Sequence, residues 1–383
     1  METVFWTSVL LVAYVYVGYP LLLAVWSAAA GRPVRKRTAG DARAWPSVSI
    51  IVAAHNEGAR IHDRVVNLRQ QVYPRPLEII IVSDGSTDST RRALTFFDDD
   101  TQLIELPRGG KPAALNAGVA AASGDIIVFA DARQRFAHDA VRQLVSNFAD
   151  PDVGGVTGEL ILDCEIDLDT SDSTIGEGVG LYWRYEKWLR RHESRVRSTL
   201  GATGAIHALR RELWEPLPED TLLDDVLAPM RVVLAGRRIV FEERARAFDR
   251  AAADGSAESR RKTRTLAGNY QILSLEPRLL LPFLNPVWVQ YLSHKIGRLL
   301  VPWALLAAFV ASATLAADRW LYSVALILQL GFYGLAALGG WIESRERSRT
   351  GRADELSGSS HVAARVPPRR SPRAADGTRV KAG

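Results

Sequence analysis

Three long apolar runs lie near the two ends of the chain. None of them contains Asp, Glu, Lys, Arg or His: residues 4–30, 299–317 and 320–342. About 20 apolar residues are enough to cross a bilayer, and no basic residue precedes the first run as it would in a signal peptide. We therefore predict an N-terminal transmembrane anchor over residues 1–31 and a transmembrane helical hairpin over residues 298–342.

Clusters of basic residues flank these runs on one side, whereas the turn between the last two runs contains only Asp318 and Arg319. The clusters occur in three short segments: residues 32–37, 295–298 and 345–349. Because Lys and Arg concentrate on the cytoplasmic side of membrane proteins, this pattern predicts a multi-pass protein of the cell membrane whose middle part is cytoplasmic. A fourth apolar stretch is broken by Pro282 and Pro286, and we expect residues 276–297 to lie along the membrane interface.

Between the anchor and the interfacial segment, short apolar runs alternate with amphipathic stretches. Four of the apolar runs have the character of strands buried in a parallel sheet: residues 47–54, 79–82, 103–106 and 125–130. Helices are expected between them. This alternation predicts an α/β domain over residues 32–275, with a mostly parallel central sheet and helices on both of its faces.

Polar side chains stand at the carboxyl ends of three of these strands. Glu57 comes soon after the first strand, Asp84 after the second and Asp131 after the fourth. In open α/β sheets, ligands bind at the edge where the carboxyl ends of parallel strands meet. We expect the three acids to face a common crevice; the alternative is that each one only caps the turn or helix that follows it.

The sequence Gly-Gly-Lys-Pro follows the third strand and ends at Pro112. Proline suits the first turn of a helix, so Lys111 is expected beside a helix N-terminus, where anions are favoured. This predicts a diphosphate near Lys111, the alternative being a solvated lysine. Asp131 would then be a candidate ligand for Mg²⁺ or Mn²⁺, because hard cations prefer oxygen donors and often bridge a protein to a phosphate.

Two adjacent acids, Asp224 and Asp225, begin a further predicted helix. Carboxylates at this position are favoured by the helix dipole, so capping alone explains them; the functional hypothesis is that one of them is a general base. Upstream, the small residues 201–205 read Gly-Ala-Thr-Gly-Ala. Such a loop permits close approach of its backbone by a ligand or by another segment.

Charge and composition exclude other classes of protein. The net charge of the 383 residues is +5, and residues 343–383 contain ten Lys or Arg against five Asp or Glu. The remainder is therefore neutral, and no nucleic acid is expected as a partner. The tail, rich in Pro, Ser, Gly and Arg, is predicted to be disordered and either binds anionic membrane lipids or is only solvated. The single Cys164 excludes an internal disulfide.

The order of these motifs resembles that of membrane-anchored family 2 glycosyltransferases, similar to the poly-N-acetylglucosamine, hyaluronan and cellulose synthase group. The resemblance covers roughly residues 46–292. It implies a GT-A-like fold and the inverting transfer of a sugar from a nucleotide sugar, a UDP-sugar in that group. The acceptor would be a glycan or a lipid-linked molecule, in cell-surface polysaccharide synthesis.

The resemblance also implies roles for residues that bind the donor. Glu57 and Asp84 match the positions that bind uridine. Lys111 matches the lysine of a GKxxALNxG-like stretch close to the nucleotide. Asp131 matches the first acid of the DxD motif, which contacts the ribose and the metal ion.

At the acceptor side, Asp225 matches the last residue of a TED-like motif and is implied to be the general base, with Asp224 in place of the glutamate. Arg264 falls where the family's QxxRW motif has its diphosphate-binding arginine. Two departures stand out. Arg133 replaces the second acid of the DxD motif, and the glutamine and tryptophan of QxxRW are absent.

These departures leave alternatives open. One is transfer of a single sugar to a lipid; another is a degenerate, nucleotide-binding membrane scaffold. Because three spans are few for a secretion channel, chain extension would call for a homo-oligomer or an export partner. A dehydrogenase and a P-loop NTPase are excluded, since neither GxGxxG nor GxxxxGK[ST] is present.

Overall fold

The computed structural model describes residues 1–38, 41–97, 101–162, 174–249 and 255–362. Two compact units are distinguished, Met1–Ala311 and Ser312–Gly383. The first unit contains the whole sheet and every predicted site residue. The predicted anchor, α/β domain and interfacial segment therefore fall in one structural unit.

Four parallel strands form one half of the sheet. In chain order they are β1 (Val48–Ala54), β2 (Leu77–Asp84), β3 (Thr101–Leu106) and β4 (Ile126–Asp131). Their order across the sheet is β3-β2-β1-β4, and Ile50 of β1 lies between Ile79 and Val128. Because all four strands run in the same direction, their carboxyl ends meet at one edge.

The other half of the sheet is mixed. Its strands are β5 (Arg135–Phe136), β6 (Val153–Leu162), β7 (Ile206–Arg210) and β8 (Arg238–Asp249). Strand β7 joins the two halves by pairing antiparallel with β4 and β6, while β8 runs parallel to β6 and antiparallel to β5. The α/β prediction is confirmed. Strands β5, β7 and β8 were not predicted, because none of them contains a continuous β-branched run.

Helices cover both faces of the sheet. They are α2 (Ile61–Arg69), α3 (Thr90–Leu94), α4 (Lys111–Ala121), α5 (Ala140–Ser146), α6 (Thr174–Val196), α7 (Asp224–Leu234) and α8 (Gly255–Leu275). Side chains of a strand alternate between faces: Ile50 packs in one core with Val65 of α2, and Ile51 in the other with Leu115 of α4 and Leu227 of α7.

Among the residues that the structure describes, three helices are long and apolar enough to cross a membrane: α1 (Glu2–Ala30), α9 (Trp288–Leu315) and the part Trp320–Trp341 of α10 (Trp320–Val362). Helix α9 begins eleven residues before the predicted span, directly after the turn that Pro286 helps to form. Helix α10 continues into the predicted disordered tail as far as Val362, through a stretch rich in Glu and Arg, which favour helix; residues 363–383 lie outside the described part.

Buried polar contacts attach α1 and α9 to helix α6. Glu193 of α6 is 1% exposed and accepts hydrogen bonds from the hydroxyl of Tyr19 at 2.8 Å and from Nδ1 of His294 at 2.6 Å. Tyr14 and Ser293 share a hydrogen bond of 2.7 Å. Both helices contain a π-helical turn at this junction, which marks it as a specialised contact.

Candidate active site

The turns that follow β1 and β2 are hydrogen-bonded to each other. His55 Nδ1 donates to the carbonyl oxygen of Asp84 at 2.7 Å. Asn56 has a positive φ of 55°, and its side-chain oxygen accepts from the backbone N–H of Thr87 at 2.8 Å. The backbone N–H of Glu57 donates to Thr90 Oγ1 at 2.9 Å. The structure therefore brings Glu57 and Asp84 to the same edge of the sheet.

Asp84 is buried and holds the glycine-rich loop over this edge. Its Oδ1 accepts from the backbone N–H groups of Gly109 at 2.6 Å and Gly110 at 3.0 Å, and Arg108 Nη1 donates to Oδ2 at 2.8 Å. A Cβ atom on Gly85, whose φ is 59°, would lie 2.7 Å from the Arg108 nitrogen. Loop fixation is thus a role for Asp84 that the sequence did not indicate, and uridine binding stays a prediction.

Lys111, the first residue of α4, connects two acids from different elements. Its Nζ lies 3.0 Å from Asp131 Oδ1 and 3.1 Å from Asp224 Oδ2. Burial acts to lower the pKa of Lys111, but the charges of Asp224, Asp131 and Asp225 outweigh it, so the pKa is raised. The ammonium therefore stays charged, which suits a group placed to meet a diphosphate.

The two acids at the start of α7 have different environments. Asp224 is 5% exposed and paired with Lys111, whereas Asp225 is partly exposed. Burial and the charge of Asp224 raise the pKa of Asp225 to about 6. A Cβ atom on Gly204 would lie 3.1 Å from Asp225 Oδ2, and Ala202 N–H donates to the Asp225 carbonyl at 2.7 Å. The small-residue loop is therefore approached by another segment, the one that carries Asp225.

Arg264 lies on α8, next to the stretch that leads into α7. Its Nη2 donates to the carbonyl oxygen of Leu222 at 2.8 Å. Helix α8 packs closely here, because a Cβ atom on Gly268 would lie 2.5 Å from Leu223 Cγ and Gln271 accepts from the Leu222 N–H at 2.9 Å. Arg264 itself is exposed, so it stands at the rim of the site, and its contact with a diphosphate stays a prediction.

Comparison with known proteins finds a similarity over part of this geometry. Residues 49–215, which include Glu57, Asp84, Lys111 and Asp131, match the family model of Glycosyl transferase family 2. This region is similar to a family 2 glycosyltransferase domain. The chain is 33% identical over 115 residues to poly-beta-1,6-N-acetyl-D-glucosamine synthase from Staphylococcus aureus. The aligned segment covers 29% of this chain and 28% of that protein. It is 28% identical over 245 residues to a probable glycosyltransferase of Bacillus subtilis, covering 60% of this chain and 56% of that one. The chain thus spans about half or less of the length of these relatives.

A solved structure shares most of the fold. A mannosyltransferase from Pyrobaculum calidifontis, in complex with GDP-Man and Mn²⁺, superposes with a TM-score of 0.64 at 24% identity, covering 87% of this chain and 92% of that chain. The predicted GT-A-like fold is confirmed.

The position that corresponds to the DxD motif departs from it in structure as well as in sequence. Arg133 Nη2 donates to Asp249 Oδ2 at 2.6 Å, and Gln134 Nε2 donates to the same oxygen at 2.9 Å. Asp249 is 5% exposed and ends β8. In the described part of the chain, no three His, Cys, Asp or Glu side chains are grouped so that they could hold a metal ion.

Sequence reasoning missed the residues that support the loop beside Asp225. His207 of β7 is buried, stacks on Phe129 with 4.8 Å between ring centroids, and donates from Nδ1 to the Thr203 carbonyl at 3.1 Å. Burial lowers the pKa of His207 to about 4, so the ring is neutral at physiological pH. Arg190 of α6 donates to Thr203 Oγ1 at 3.1 Å. Neither residue belongs to a recognisable motif, and β7 itself was not predicted.

Proposed function

We propose that the protein is an inverting glycosyltransferase that moves a sugar from a nucleotide sugar, a UDP-sugar, to a glycan or lipid-linked acceptor in cell-surface polysaccharide synthesis. The observation that carries this proposal is the position of a partly exposed carboxylate, Asp225, directly after Asp224, whose Oδ2 lies 3.1 Å from the charged ammonium of Lys111. A base and a cation at one sheet edge are the two groups that displacement of a diphosphate requires.

Asp225 is the better candidate for the general base. A base should titrate near the working pH, and the pKa of Asp225 is about 6. The acceptor hydroxyl oxygen attacks the anomeric carbon while the bond to the diphosphate oxygen breaks, and the carboxylate takes the hydroxyl proton. One base and a single displacement give inversion. Asp224, whose Oδ2 lies 3.1 Å from the Lys111 ammonium, orients the lysine.

The donor is proposed to lie along the edge formed by β1, β2 and β4. Glu57 and Asp84 flank the expected nucleoside site. Lys111 and the N-terminus of α4 provide positive charge for the diphosphate. Arg264 is proposed to reach the diphosphate from the rim.

A divalent cation was predicted beside this diphosphate, with Asp131 as its protein ligand. The residues present fit such an ion poorly. Asp131 Oδ1 already contacts the Lys111 ammonium at 3.0 Å, and the position of the second acid carries the cationic Arg133. We therefore assign no step of the reaction to a metal ion.

The membrane arrangement is also proposed, with the catalytic domain on the cytoplasmic side. Three candidate spans and their basic flanks support it. The segment before α9 exposes Leu281 by 49%, Phe283 by 97% and Leu284 by 51%. Such a cluster of exposed apolar side chains suits the membrane interface, where it would hold the site close to a lipid-linked acceptor.

Release of the nucleotide tests the proposal. The full-length chain, purified in detergent, is incubated with UDP-sugars and with GDP-mannose, together with a membrane lipid extract as acceptor. We expect one donor to release nucleotide, and Asp225→Asn to lower the rate by about 10²- to 10⁴-fold, the usual contribution of a general base. Asp63→Asn is the control, because the Asp63 side chain is 92% exposed on α2. No release from any donor would refute the transferase proposal.

The size of the product then separates chain extension from transfer of a single sugar. The absent QxxRW glutamine and tryptophan favour single transfer to a lipid. A scaffold without turnover is disfavoured by the raised pKa of Asp225, since a binding protein has no need of a poised base.

A further inference from the structure

Arg133 is fixed by a buried carboxylate. Its guanidinium is 48% exposed, whereas the Asp249 side chain that it contacts is 4% exposed. Asp249 uses the same oxygen for Gln134, so a second donor holds it in place. The acid at the end of β8 therefore orients an accessible arginine rather than a metal ion.

Only part of the Arg133 guanidinium is used in this contact. Within the described ranges, its one hydrogen bond is made by Nη2. A guanidinium carries five N–H donors in a rigid fork that matches a phosphate, and it stays charged at any physiological pH. Arg133 stands two residues after Asp131, so its remaining donors can bind a phosphate beside this acid.

Cations already surround the position that a metal ion would take. The ammonium of Lys111 lies 3.0 Å from Asp131 Oδ1. Arg64 of α2 is 3% exposed, with Nη1 donating to Asn67 Oδ1 at 2.9 Å and its Cζ 4.1 Å from the centroid of the Phe136 ring. Its Nε and Nη2 are buried without a hydrogen-bond partner. Burial lowers the pKa of Arg64 and the charge of Asp131 acts to raise it, so Arg64 and Lys111 both neutralise this carboxylate. A divalent cation bound by Asp131 would therefore meet repulsion from both of these basic side chains.

We propose that Arg133, oriented by Asp249, supplies the positive charge that stabilises the leaving nucleoside diphosphate, so that transfer needs no divalent metal ion. This inference rests on the proposed transferase function. As the bond from the anomeric carbon to the diphosphate breaks, its electron pair goes to the terminal phosphate oxygen, and the N–H groups of Arg133 donate to that oxygen. Arg133 keeps its protons, and Asp249 is a positioning residue.

Binding of UDP and of GDP to the full-length chain, measured by calorimetry in EDTA and in Mn²⁺, tests the inference. We expect one nucleotide to bind with a Kd that changes less than about threefold when the metal is removed, because an arginine contact needs no metal. Binding that requires Mn²⁺ would overturn the inference and leave the proposed function standing. Binding of neither nucleotide under either condition would overturn the donor assignment and the inference with it.

Two variants identify the residue that acts. Arg133→Gln should weaken nucleotide binding in EDTA by about 10- to 100-fold, the loss expected for a charge-assisted hydrogen bond. Arg135→Gln is the matched control, since Arg135 is exposed and lies over the Phe248 ring, 5.2 Å from its centroid. Equal effects of the two substitutions, or no effect of Arg133→Gln, would contradict the proposal.

Arg133→Asp places a carboxylate at the second acidic position of the DxD motif. We expect this variant to bind Mn²⁺, seen as loss of the free-ion signal in electron paramagnetic resonance, and to bind nucleotide only in its presence. Wild type should leave the Mn²⁺ signal unchanged without nucleotide. Mn²⁺ binding by wild type would refute the inference. Because Arg133→Asp places two acids together, Asp249→Asn in the same chain removes that repulsion should the single variant fail to fold.

Discussion

The ammonium of Lys111 lies 3.0 Å from Asp131 Oδ1, at the end of β4. On its other side it lies 3.1 Å from Asp224 Oδ2, at the start of α7. One cation thus joins the donor side of the proposed site to its acceptor side. The geometry of the base, the expected position of the diphosphate and the local charge all depend on this contact.

Lys111→Met is expected to abolish transfer and to destabilise the first unit. Removing the cation leaves the buried Asp224 without its charge partner, and breaking a buried pair costs about 3–5 kcal/mol; the partial exposure of Asp131 places the expected loss at the lower end. The measurements are thermal unfolding in detergent and nucleotide release.

Lys187→Met is the control for this substitution. Lys187 also forms an ion pair, with Glu159, away from the site. The Lys187→Met variant should keep its transferase activity. Retained turnover in Lys111→Met would exclude the role given to this lysine.

The rate of transfer should depend on a single ionisation near pH 6. The base must be deprotonated to accept a proton, so kcat/KM should fall about tenfold per pH unit below about pH 6 and level off above it. The pKa of Asp225, about 6, sets this midpoint. His207, with a pKa of about 4, stays neutral over this range. A steady-state profile from about pH 5 to 8 measures the limb, and a rate independent of pH in that range would contradict the assignment of Asp225 as base.

The same ionisation makes the stability of the chain depend on pH. Because the pKa of Asp225 is raised on folding, its contribution to stability is fully present below its unfolded pKa and is lost as the pH rises through about 6. Asp225→Asn should therefore raise the free energy of unfolding at about pH 8 by on the order of 1–2 kcal/mol, seen as a higher melting temperature, and change it little at about pH 4. A shift of the opposite sign would mean that Asp225 is stabilised by its neighbours in its charged form.

The sequence was sufficient to place most of the site, because parallel strands bring their carboxyl ends together. Glu57, Asp84 and Asp131 were predicted to meet, and they lie at one edge. Composition and spacing do not distinguish Asp224 from Asp225, since the two are identical neighbours, and only the family resemblance pointed to Asp225 as the base. Only the fold buries one of them against Lys111 and leaves the other partly exposed.

Strand β8 and the loop conformation of residues 108–110 could not be predicted from the pattern of apolar and polar residues. Strand β8 contains charged side chains along much of its length and only a short apolar run, residues 239–241, so the sequence did not predict it, although its last residue, Asp249, accepts a hydrogen bond from Arg133. The hydrogen bonds that Asp84 accepts from residues 108–110 depend on the loop conformation, in which Gly110 has a positive φ of 88°. Such a loop conformation is chosen by tertiary contacts, which sequence periodicity does not report.

Gly204→Ala should impair catalysis more than folding. The added Cβ would lie 3.1 Å from Asp225 Oδ2, so the carboxylate must shift by a few tenths of an ångström. Misplacing a catalytic group by about 1 Å can cost about 10²-fold, and we expect a loss of about 10-fold in kcat. Gly331→Ala is the control, because nothing lies within 4 Å of its added Cβ. The contrary result, equal rates for the two variants, would show that the base tolerates displacement.

The contact between Tyr19 and Glu193 should stabilise the attachment of the first membrane helix. The hydroxyl of Tyr19 donates to a carboxylate that is 1% exposed. Tyr19→Phe removes a hydrogen bond to a buried charge, worth about 1.5–3 kcal/mol. We expect thermal unfolding in detergent at a lower temperature, with nucleotide binding kept at temperatures below the transition. Tyr16→Phe, at a side chain 45% exposed on the same helix, should have no effect. Equal stability of wild type and Tyr19→Phe would mean that His294 alone satisfies Glu193, and the double variant with His294→Gln would then show the combined loss.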